Sequence, residues 1–175
     1  AIYCNDREVV VVQVNNFLGM TITGNGAGTN ESAYAGFNRT FVDHAPTLKC
    51  KNKNDRFTTS STLGNGALTN PIALITSDEV VMGGGAGFDV ATMTYITNDN
   101  YYLYLKNGDH SYWTMTPIAY LDSAAVVGDV RIDGSVFSSG GGSNDAVRPV
   151  VSLKSDAISG GVGTVNNPFY VDEKP

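Results

Sequence analysis

The pattern of apolar and polar positions predicts two strands that frame the middle of the chain. Residues 112–117 combine β-favouring side chains with the single tryptophan, and they predict a core strand that ends abruptly at Pro117. Residues 147–153 predict a second strand, whose Arg-Pro start indicates a bulge or a sheet edge. Residues 118–146 are then expected to form loops and short strands on one face. This segment is the predicted display surface.

Other apolar runs predict a β-rich chain with few helices. The valine-rich residues 9–14 predict a buried strand, whereas the glycine-rich residues 19–36 predict a loop. Residues 71–83 predict a buried strand and then a short helix, which is capped by the Thr-Ser pair between them and ended by glycine. Residues 100–109 predict a strand with a hairpin turn, and residues 167–171 predict a closing strand.

Composition narrows the class of protein. The 175 residues suit one domain, and the low charged fraction of 16% with 20 glycines is typical of a β-rich or loop-rich extracellular module. A net charge of -6 without a long basic run argues against nucleic acid as a partner. Because no apolar run approaches the roughly 20 residues of a membrane span, we expect no membrane contact by the domain itself. We expect a processed ectodomain whose N-terminal anchor is absent from this chain.

The two cysteines, Cys4 and Cys50, bear on both stability and location. In an extracellular setting they would most simply pair, and closing a loop of that size is worth about 4 kcal/mol in the chain-entropy model. The alternative is two buried free thiols. The only histidines are His44 and His110, so the sequence predicts neither a metal site nor a cofactor.

Three further groups of polar residues bear on whether the chain carries out catalysis. Residues 46–57 hold the one basic patch, which we interpret as a solvated loop after the cysteine. Asp78 and Glu79 suit the N-terminus of the predicted helix, and adjacent positions on a helix diverge too far for an acid/base pair. His110 lacks a nucleophile context and is interpreted as an exposed polar residue. The sequence therefore does not predict an enzyme.

Five motifs carry a resemblance to a known family. They are residues 46–58 (PTLKCKNKNDRFT), 64–69 (GNGALT), 74–79 (LITSDE), 112–117 (YWTMTP) and 147–150 (VRPV). Over nearly its whole length the chain resembles surface domains of gut Firmicutes that often follow pilin-like or other membrane-anchoring N-termini. The last two motifs are similar to those of C-type-lectin folds of the formylglycine-generating-enzyme type, a scaffold also used by variable proteins of diversity-generating retroelements. Thr116 stands where that motif has serine.

The resemblance implies a binding module with an α+β, C-type-lectin-like fold, β-rich with short helices and long loops. The enzyme relatives use two cysteines near the C-terminus, which this chain lacks, so their activity is not carried over. Retroelement diversification of asparagine codons cannot give Lys, Glu, Gln, Met or Trp, and none of these occurs in residues 118–145. A Gly/Ser-rich region that lacks long side chains would give the same pattern.

Within the display surface, the alternation around residues 127–134 predicts which side chains contact a ligand. Val130 and Ile132 would point into the core, and Asp129, Arg131 and Asp133 would point outward. The alternative is a solvated strand face with exposed ion pairs of little energetic value. The predicted ligand-binding residues are Tyr120, Asp122, Asp129, Arg131, Asp133, Phe137, Ser138, Asn144 and Asp145. Arg148 is expected to stack and pair internally instead.

These expectations combine into one function and one rival. The chain is predicted to be the ligand-binding, adhesin-like domain of a bacterial cell-surface or pilus-tip protein, extracellular, with a hypervariable binding surface at about residues 118–145. Its partner would be a host or bacterial surface protein or glycan. The rival is a structural pilin subunit with a variable exposed coat, whose partners would be the other subunits of the pilus.

Overall fold

The structure is a computed structural model. It describes residues 4, 6–10, 14–17, 20–22, 31–58, 62, 68–70, 72–85, 87–92, 94–96, 109–121, 123–153, 155–164 and 166–171. Along these ranges the strands are β1 (Val9–Val10), β2 (Val14–Phe17), β3 (Met20–Ile22), β4 (Glu31–Tyr34), β5 (Ile72–Leu74), β6 (Gly87–Asp89), β7 (Thr94–Ile96), β8 (Tyr112–Leu121), β9 (Ala124–Val130), β10 (Val136–Gly140) and β11 (Pro149–Val151). The helices are α1 (Ala35–Phe37), a π-helical turn (Asn38–Val42), α2 (Ser77–Met82) and two 3₁₀ turns, Lys53–Asp55 and Ser155–Ala157. The β-rich content with few short helices is consistent with the predicted α+β class.

Five strands form the central sheet in the order β1-β4-β8-β9-β10, and every neighbouring pair is antiparallel. The hairpin of β9 and β10 keeps one register from the pair Val130–Val136 to the pair Val126–Gly140. Three two-stranded sheets surround it, namely β2-β3, β5-β11 and β6-β7. Because side chains alternate between the two faces of a strand, the central sheet has an inner and an outer face.

The inner face of the central sheet carries the hydrophobic core. It packs against α1, the π-helical turn and α2, and the rings of Phe37 and Phe41 meet edge to face at 5.6 Å. Full burial of side chains of this size stabilises the fold by about 2 kcal/mol each. The core residues are Ala33, Phe37, Phe41, Ile75, Val80, Phe88, Val90, Tyr112, Ile118, Ala119, Leu121, Val126, Val130 and Val136.

The short helix α2 forms as the sequence predicts. Thr76 is its N-cap: its hydroxyl accepts a hydrogen bond from the backbone N–H of Glu79 at 3.1 Å, and the Glu79 carboxylate accepts from the Thr76 N–H at 2.9 Å. This reciprocal capping box leaves fewer unpaired N–H groups at the helix start. Gly83 is the C-cap residue, so both predicted boundaries are confirmed.

The prediction that the strand at residues 112–117 ends at Pro117 is wrong. β8 continues to Leu121, and its register with β9 shifts on both sides of Pro117. A proline removes one N–H from the ladder, and a register irregularity is where a sheet tolerates that loss. The predicted second strand is confirmed in shorter form, because β11 covers only the three residues Pro149–Val151 and pairs with β5.

Residues 118–146 consist of strands joined by turns, so the short strands predicted there are confirmed. The end of β8, all of β9 and all of β10 fall in this range, and Ile118, Val130 and Val136 are in the core. The segment is therefore a surface on one face only, because the other face of its strands contributes to the core.

Several smaller expectations have mixed outcomes. Residues 19–36 are not one loop, because β3, β4 and the start of α1 lie within them. The predicted strand at residues 9–14 appears as the short β1, whose valines are half-buried, and the beginning of β2. The predicted strand and turn at residues 100–109 lie outside the described residues except for Asp109, and the segment 167–171 forms only isolated bridges. No helix in the described ranges is long and apolar enough to cross a membrane.

Candidate functional site

The outer face of the central sheet brings together several of the predicted ligand-binding residues. The strand register places Trp113 of β8 opposite Asp129 of β9, and Asp129 opposite Phe137 of β10. Directly opposed side chains share a face, so an indole, a carboxylate and a phenyl ring lie side by side across three strands. Trp113 and Phe137 are half-buried.

Asp129 is buried, which corrects the prediction that it points into solvent. Only 2% of the residue is exposed, and its Oδ1 atom has no hydrogen-bond partner among the described residues. Burial and, to a lesser extent, the nearby carboxylate of Asp145 raise the pKa of Asp129 to about 6, against the opposing effects of Arg131 and a hydrogen bond from Ser139. Asp129 therefore carries a proton in mildly acidic solution and loses it near neutrality.

A turn follows β9 and reverses the predicted orientation of the next residues. Val130 is buried as expected, but the strand ends there, and Ile132 is 59% exposed instead of lying in the core. The N–H of Gly134 donates to the carbonyl of Arg131, and Gly134 has a φ of +85°, which suits glycine. Asp133 is exposed, and its Oδ1 accepts hydrogen bonds from the N–H and hydroxyl of Ser135 at 2.9 and 2.6 Å.

Those hydrogen bonds outweigh the desolvation of Asp133 and lower the pKa of its carboxyl. On the other side of the turn, the Arg131 guanidinium lies over the ring of Phe137, 4.1 Å from its centroid. Such a cation–π contact holds a flexible side chain in place and keeps its charge at the edge of the sheet. The turn therefore adds one fixed cation and one exposed carboxylate beside the Trp113–Asp129–Phe137 row.

Tyr120 lies at the other end of the outer face and is 36% exposed. It borders a hollow of about 230 Å³ over β8 and β9, to which Arg7, Tyr34 and Met115 also contribute. This is smaller than the roughly 300 Å³ at which ligand pockets usually begin, and its size suits one side chain or one ring of a larger ligand.

The remaining predicted residues do not join this face. Ser138 is 3% exposed and lies opposite Gly128 on the inner face, so it cannot contact a ligand there without rearrangement. Asn144 is exposed in the turn after β10, and Asp145 is half-buried near Asp129. Asp122 lies outside the described residues.

Arg148 has the internal contact that was expected of it. Its guanidinium lies 4.5 Å from the centroid of the Tyr112 ring. Tyr112 also forms a parallel bridge with Ala146, and the N–H of Trp113 donates to the carbonyl of Ala146 at 3.0 Å. The segment that leads into β11 is thereby attached to the start of β8.

A larger cleft, which the sequence did not predict as a site, lies beside the disulfide. Its volume is about 880 Å³, within the usual range for ligand pockets. The cleft is lined by the N-terminal segment, by α1 and the π-helical turn, and by two parts of the basic loop: Glu8, Val10, Ala35, Asn38, Arg39, Asp43, residues 47–51 and residues 56–58.

The loop of residues 46–58, here called the anchored loop, is exposed over much of its length but is fixed at several points. Cys50 forms the predicted disulfide with Cys4, with Cα atoms 5.7 Å apart, and the described chain holds no free cysteine. Arg7 donates to the buried Asp55 carboxylate from its backbone N–H, Nε and Nη2 at 2.8 to 2.9 Å. The interpretation of residues 46–58 as a solvated loop therefore did not anticipate that these attachments make the loop a fixed wall of the cleft. The closely spaced Lys and Arg residues after Pro46 were the sequence signal that could have indicated a site here.

Comparisons with known proteins found no match: no family model, no curated protein and no solved structure matches this chain. The described residues also contain no group of three or more His, Cys, Asp or Glu side chains able to hold a metal ion. The outer face and the cleft are therefore the two surfaces of the described residues that bear on function.

Proposed function

We propose that this chain is the ligand-binding, adhesin-like domain of a bacterial cell-surface or pilus-tip protein, and that the outer face of its central sheet contacts the ligand. The observation that carries the proposal is the row Trp113–Asp129–Phe137, with Arg131 at one end and the half-exposed Tyr120 beyond the other. Aromatic and arginine side chains dominate binding energy at protein surfaces. The partner is a host or bacterial surface protein or a glycan. The proposal includes no catalysis.

Two observations support the setting of this proposal. The disulfide between Cys4 and Cys50 is typical of proteins in oxidising compartments, which include the bacterial surface. The motif residues 112–117 form the start of the central strand β8, and residues 147–150 lead into β11. This placement supports a C-type-lectin-like fold in which the two motifs hold the scaffold.

We also propose that any diversification within residues 118–145 is confined to exposed positions. Substitution of Ile118 or Val130 would leave a cavity or force a polar group into the core, at a cost of about 1 to 4 kcal/mol. Tyr120, Ile132 and Asn144 face solvent and tolerate exchange. Sequencing the locus from many cells of one population tests this: differences at the exposed positions support it, and differences spread equally over buried ones contradict it.

The test of the binding function uses the whole chain with its disulfide intact. The protein is applied to an array of host glycans and to intact host cells, and retention is measured for the parent, Tyr120→Ala and Phe169→Ala. Phe169 is the matched control because it is an aromatic residue, 60% exposed, in the C-terminal segment away from the sheet strands. We expect Tyr120→Ala to weaken retention by about tenfold and Phe169→Ala to leave it unchanged. Equal effects, or no retention of the parent, would contradict the proposal.

One observation favours the rival function of a structural pilin subunit. The C-terminal segment exposes several large apolar side chains, namely Ile158, Val162, Phe169, Tyr170 and Val171. Clustered exposed apolar residues mark contact surfaces between proteins. Sedimentation velocity separates the two functions: self-association of the parent that Phe169→Ala abolishes supports the pilin, whereas a monomer that binds cells supports the adhesin.

A further inference from the structure

The charges that line the cleft beside the anchored loop are unevenly paired. Lys51 donates to the Glu8 carboxylate at 2.6 Å, so these two charges neutralise each other. Arg39 is held by the carboxylates of Asp6 and Asp78. Burial opposes the charge of Arg39, but its hydrogen bonds to Asp78 and Asp6 outweigh that effect and raise its pKa above the usual range.

Two cations at the rim of the cleft have no acidic partner in the described ranges. The Lys49 ammonium makes neither an ion pair nor a hydrogen bond there, and the only such contact of the Arg56 side chain is a 3.4 Å hydrogen bond to the Cys50 carbonyl. Asp43, which also lines the cleft, accepts a hydrogen bond from Asn38 and has no cationic partner in the described ranges. Only the part of the rim around Lys49 and Arg56 therefore presents positive charge. An anionic group is the complement of this rim.

The walls between these cations are apolar. Val10, Ala35, Leu48 and Phe57 contribute side chains to the cleft, and Leu48 is exposed at its rim. A ligand pocket that combines apolar walls with a few placed charges holds a ligand of the same mixed character. Burial of one ligand leucine in such a pocket contributes affinity in addition to the ionic contacts.

The neutral polar groups of the cleft are largely used within the protein. The Asn38 side-chain amide donates to Asp43 at 2.9 Å, and the Thr47 hydroxyl accepts from the Lys49 N–H at 3.2 Å. A sugar exposes hydroxyl groups on every edge and loses affinity where they stay unpaired. The cleft therefore offers a ligand mainly charge and apolar surface, which are the groups that the carboxylate and apolar side chains of a peptide contact.

We propose that this cleft binds an extended peptide in which carboxylate side chains alternate with apolar ones. Lys49 and Arg56 bind the carboxylates, and Val10, Leu48 and Phe57 contact the apolar side chains. The cleft shares no residue with the outer face of the sheet, so the peptide site is independent of the surface assigned to adhesion. The disulfide and the Arg7–Asp55 pair hold the loop in place before the peptide binds, which reduces the entropy lost on binding.

The experiment titrates the full, oxidised chain with the probe acetyl-Leu-Glu-Leu-Glu-Leu-amide and follows backbone amide shifts by NMR. We expect shifts confined to the residues around the cleft and an affinity that falls as salt concentration rises. The Gln-for-Glu probe, which lacks the carboxylates, and the Ser-for-Leu probe, which lacks the apolar groups, should each bind about tenfold more weakly.

The protein variants locate the site. The double variant Lys49→Gln with Arg56→Gln should bind the Leu-Glu probe about tenfold or more weakly than the parent protein does. Lys53→Gln should bind it as the parent does, because Lys53 is an exposed cation of the same loop that does not line the cleft. Equal binding by the double variant overturns the proposal, as do shifts that map to the outer face. Binding of an oligogalacturonate in place of the peptide would overturn the peptide assignment in favour of an acidic glycan.

Discussion

Arg39 donates two hydrogen bonds to the carboxylate of Asp78, from Nε at 2.8 Å and from Nη2 at 3.0 Å. The same guanidinium contacts Asp6, and Asp78 also accepts a hydrogen bond from the N–H of Thr47 at 2.9 Å. One cation thus joins the N-terminal segment, the π-helical turn and α2, and through Asp78 the anchored loop. Asp6 and Asp78 are separated from Arg39 by 33 and 39 positions, whereas the anchored loop follows the π-helical turn closely in sequence.

Replacement of this cation should be costly. Arg39→Met leaves the buried Asp78 carboxylate and the half-buried Asp6 without their cation, and we expect the free energy of unfolding to fall by about 3 kcal/mol. Urea denaturation at neutral pH measures the loss. The matched control is Lys51→Met, which removes the exposed pair with Glu8 and should change stability by less than about 1 kcal/mol. Similar losses of stability for both variants would contradict the structural role assigned to Arg39.

The buried carboxyl of Asp129 should make stability depend on pH. Its folded pKa of about 6 lies above the ordinary value of 3.8, so between these values the folded chain keeps a proton that the unfolded chain has lost. Stability from this group is therefore fully present below pH 4 and is lost as the pH rises through 6, by about 3 kcal/mol in total.

Asp129→Asn tests this dependence. The variant should be more stable than the parent at pH 7 and should show no corresponding decline between pH 4 and pH 7 in denaturant titrations. Asp156→Asn changes an exposed carboxyl and serves as the control. If the difference in free energy of unfolding between the parent and Asp129→Asn stays constant from pH 4 to pH 7, the Asp129 carboxyl does not titrate with a raised pKa.

The disulfide should supply a large part of the stability of the chain. Cys4→Ser with Cys50→Ser removes a crosslink over 46 positions, and we expect the free energy of unfolding to fall by about 4 kcal/mol. Guanidinium denaturation measures the change, and reduction of the parent protein should reproduce it. A loss below about 1 kcal/mol would mean that the loop is held by its ion pairs instead.

Gly128 lies where β9 approaches two hydroxyl groups. A Cβ atom there would lie 2.7 Å from the Thr114 Oγ1, which donates to the Gly128 carbonyl at 2.8 Å and also pairs with the Ser77 hydroxyl. We expect Gly128→Ala to lower the free energy of unfolding by about 2 kcal/mol. Gly140→Ala, in the neighbouring strand with no atom within 4 Å of the new Cβ, should be neutral or slightly stabilising. Thermal unfolding compares the stability of the two variants. Equal changes in stability would contradict close packing around Gly128.

Local signals in the sequence were sufficient for some elements. The Thr76–Glu79 capping box lies within four residues, so its spacing alone predicts the start of α2. The sequence predicted the pairing of Cys4 with Cys50 for an extracellular setting and left two free thiols as the alternative, and the disulfide is present. The second strand was recognisable from its apolar residues, although pairing with β5 covers only three of them.

Other features depend on which strands become neighbours, and no local pattern contains that information. Asp129 was expected in solvent because it alternates with Val130, but it is buried between the two neighbouring strands, where Trp113 and Phe137 are its register partners. Ile132 was expected in the core because the alternation was continued beyond the true end of β9. The cleft forms only where the N-terminal segment meets residues 35–58, which are distant from it in sequence, so the basic residues of the cleft looked like an ordinary solvated loop.

The anchored loop is attached to the rest of the domain by bonds of different chemical kinds. A reductant cleaves the Cys4–Cys50 disulfide, and salt screens the exposed Lys51–Glu8 pair. Neither agent removes the buried Asp55 carboxylate from the Arg7 N–H, or the Asp78 carboxylate from the Thr47 N–H. A reductant alone or salt alone therefore loosens one attachment and leaves the others in place. The anchored loop should keep its position in the wall of the cleft under either condition.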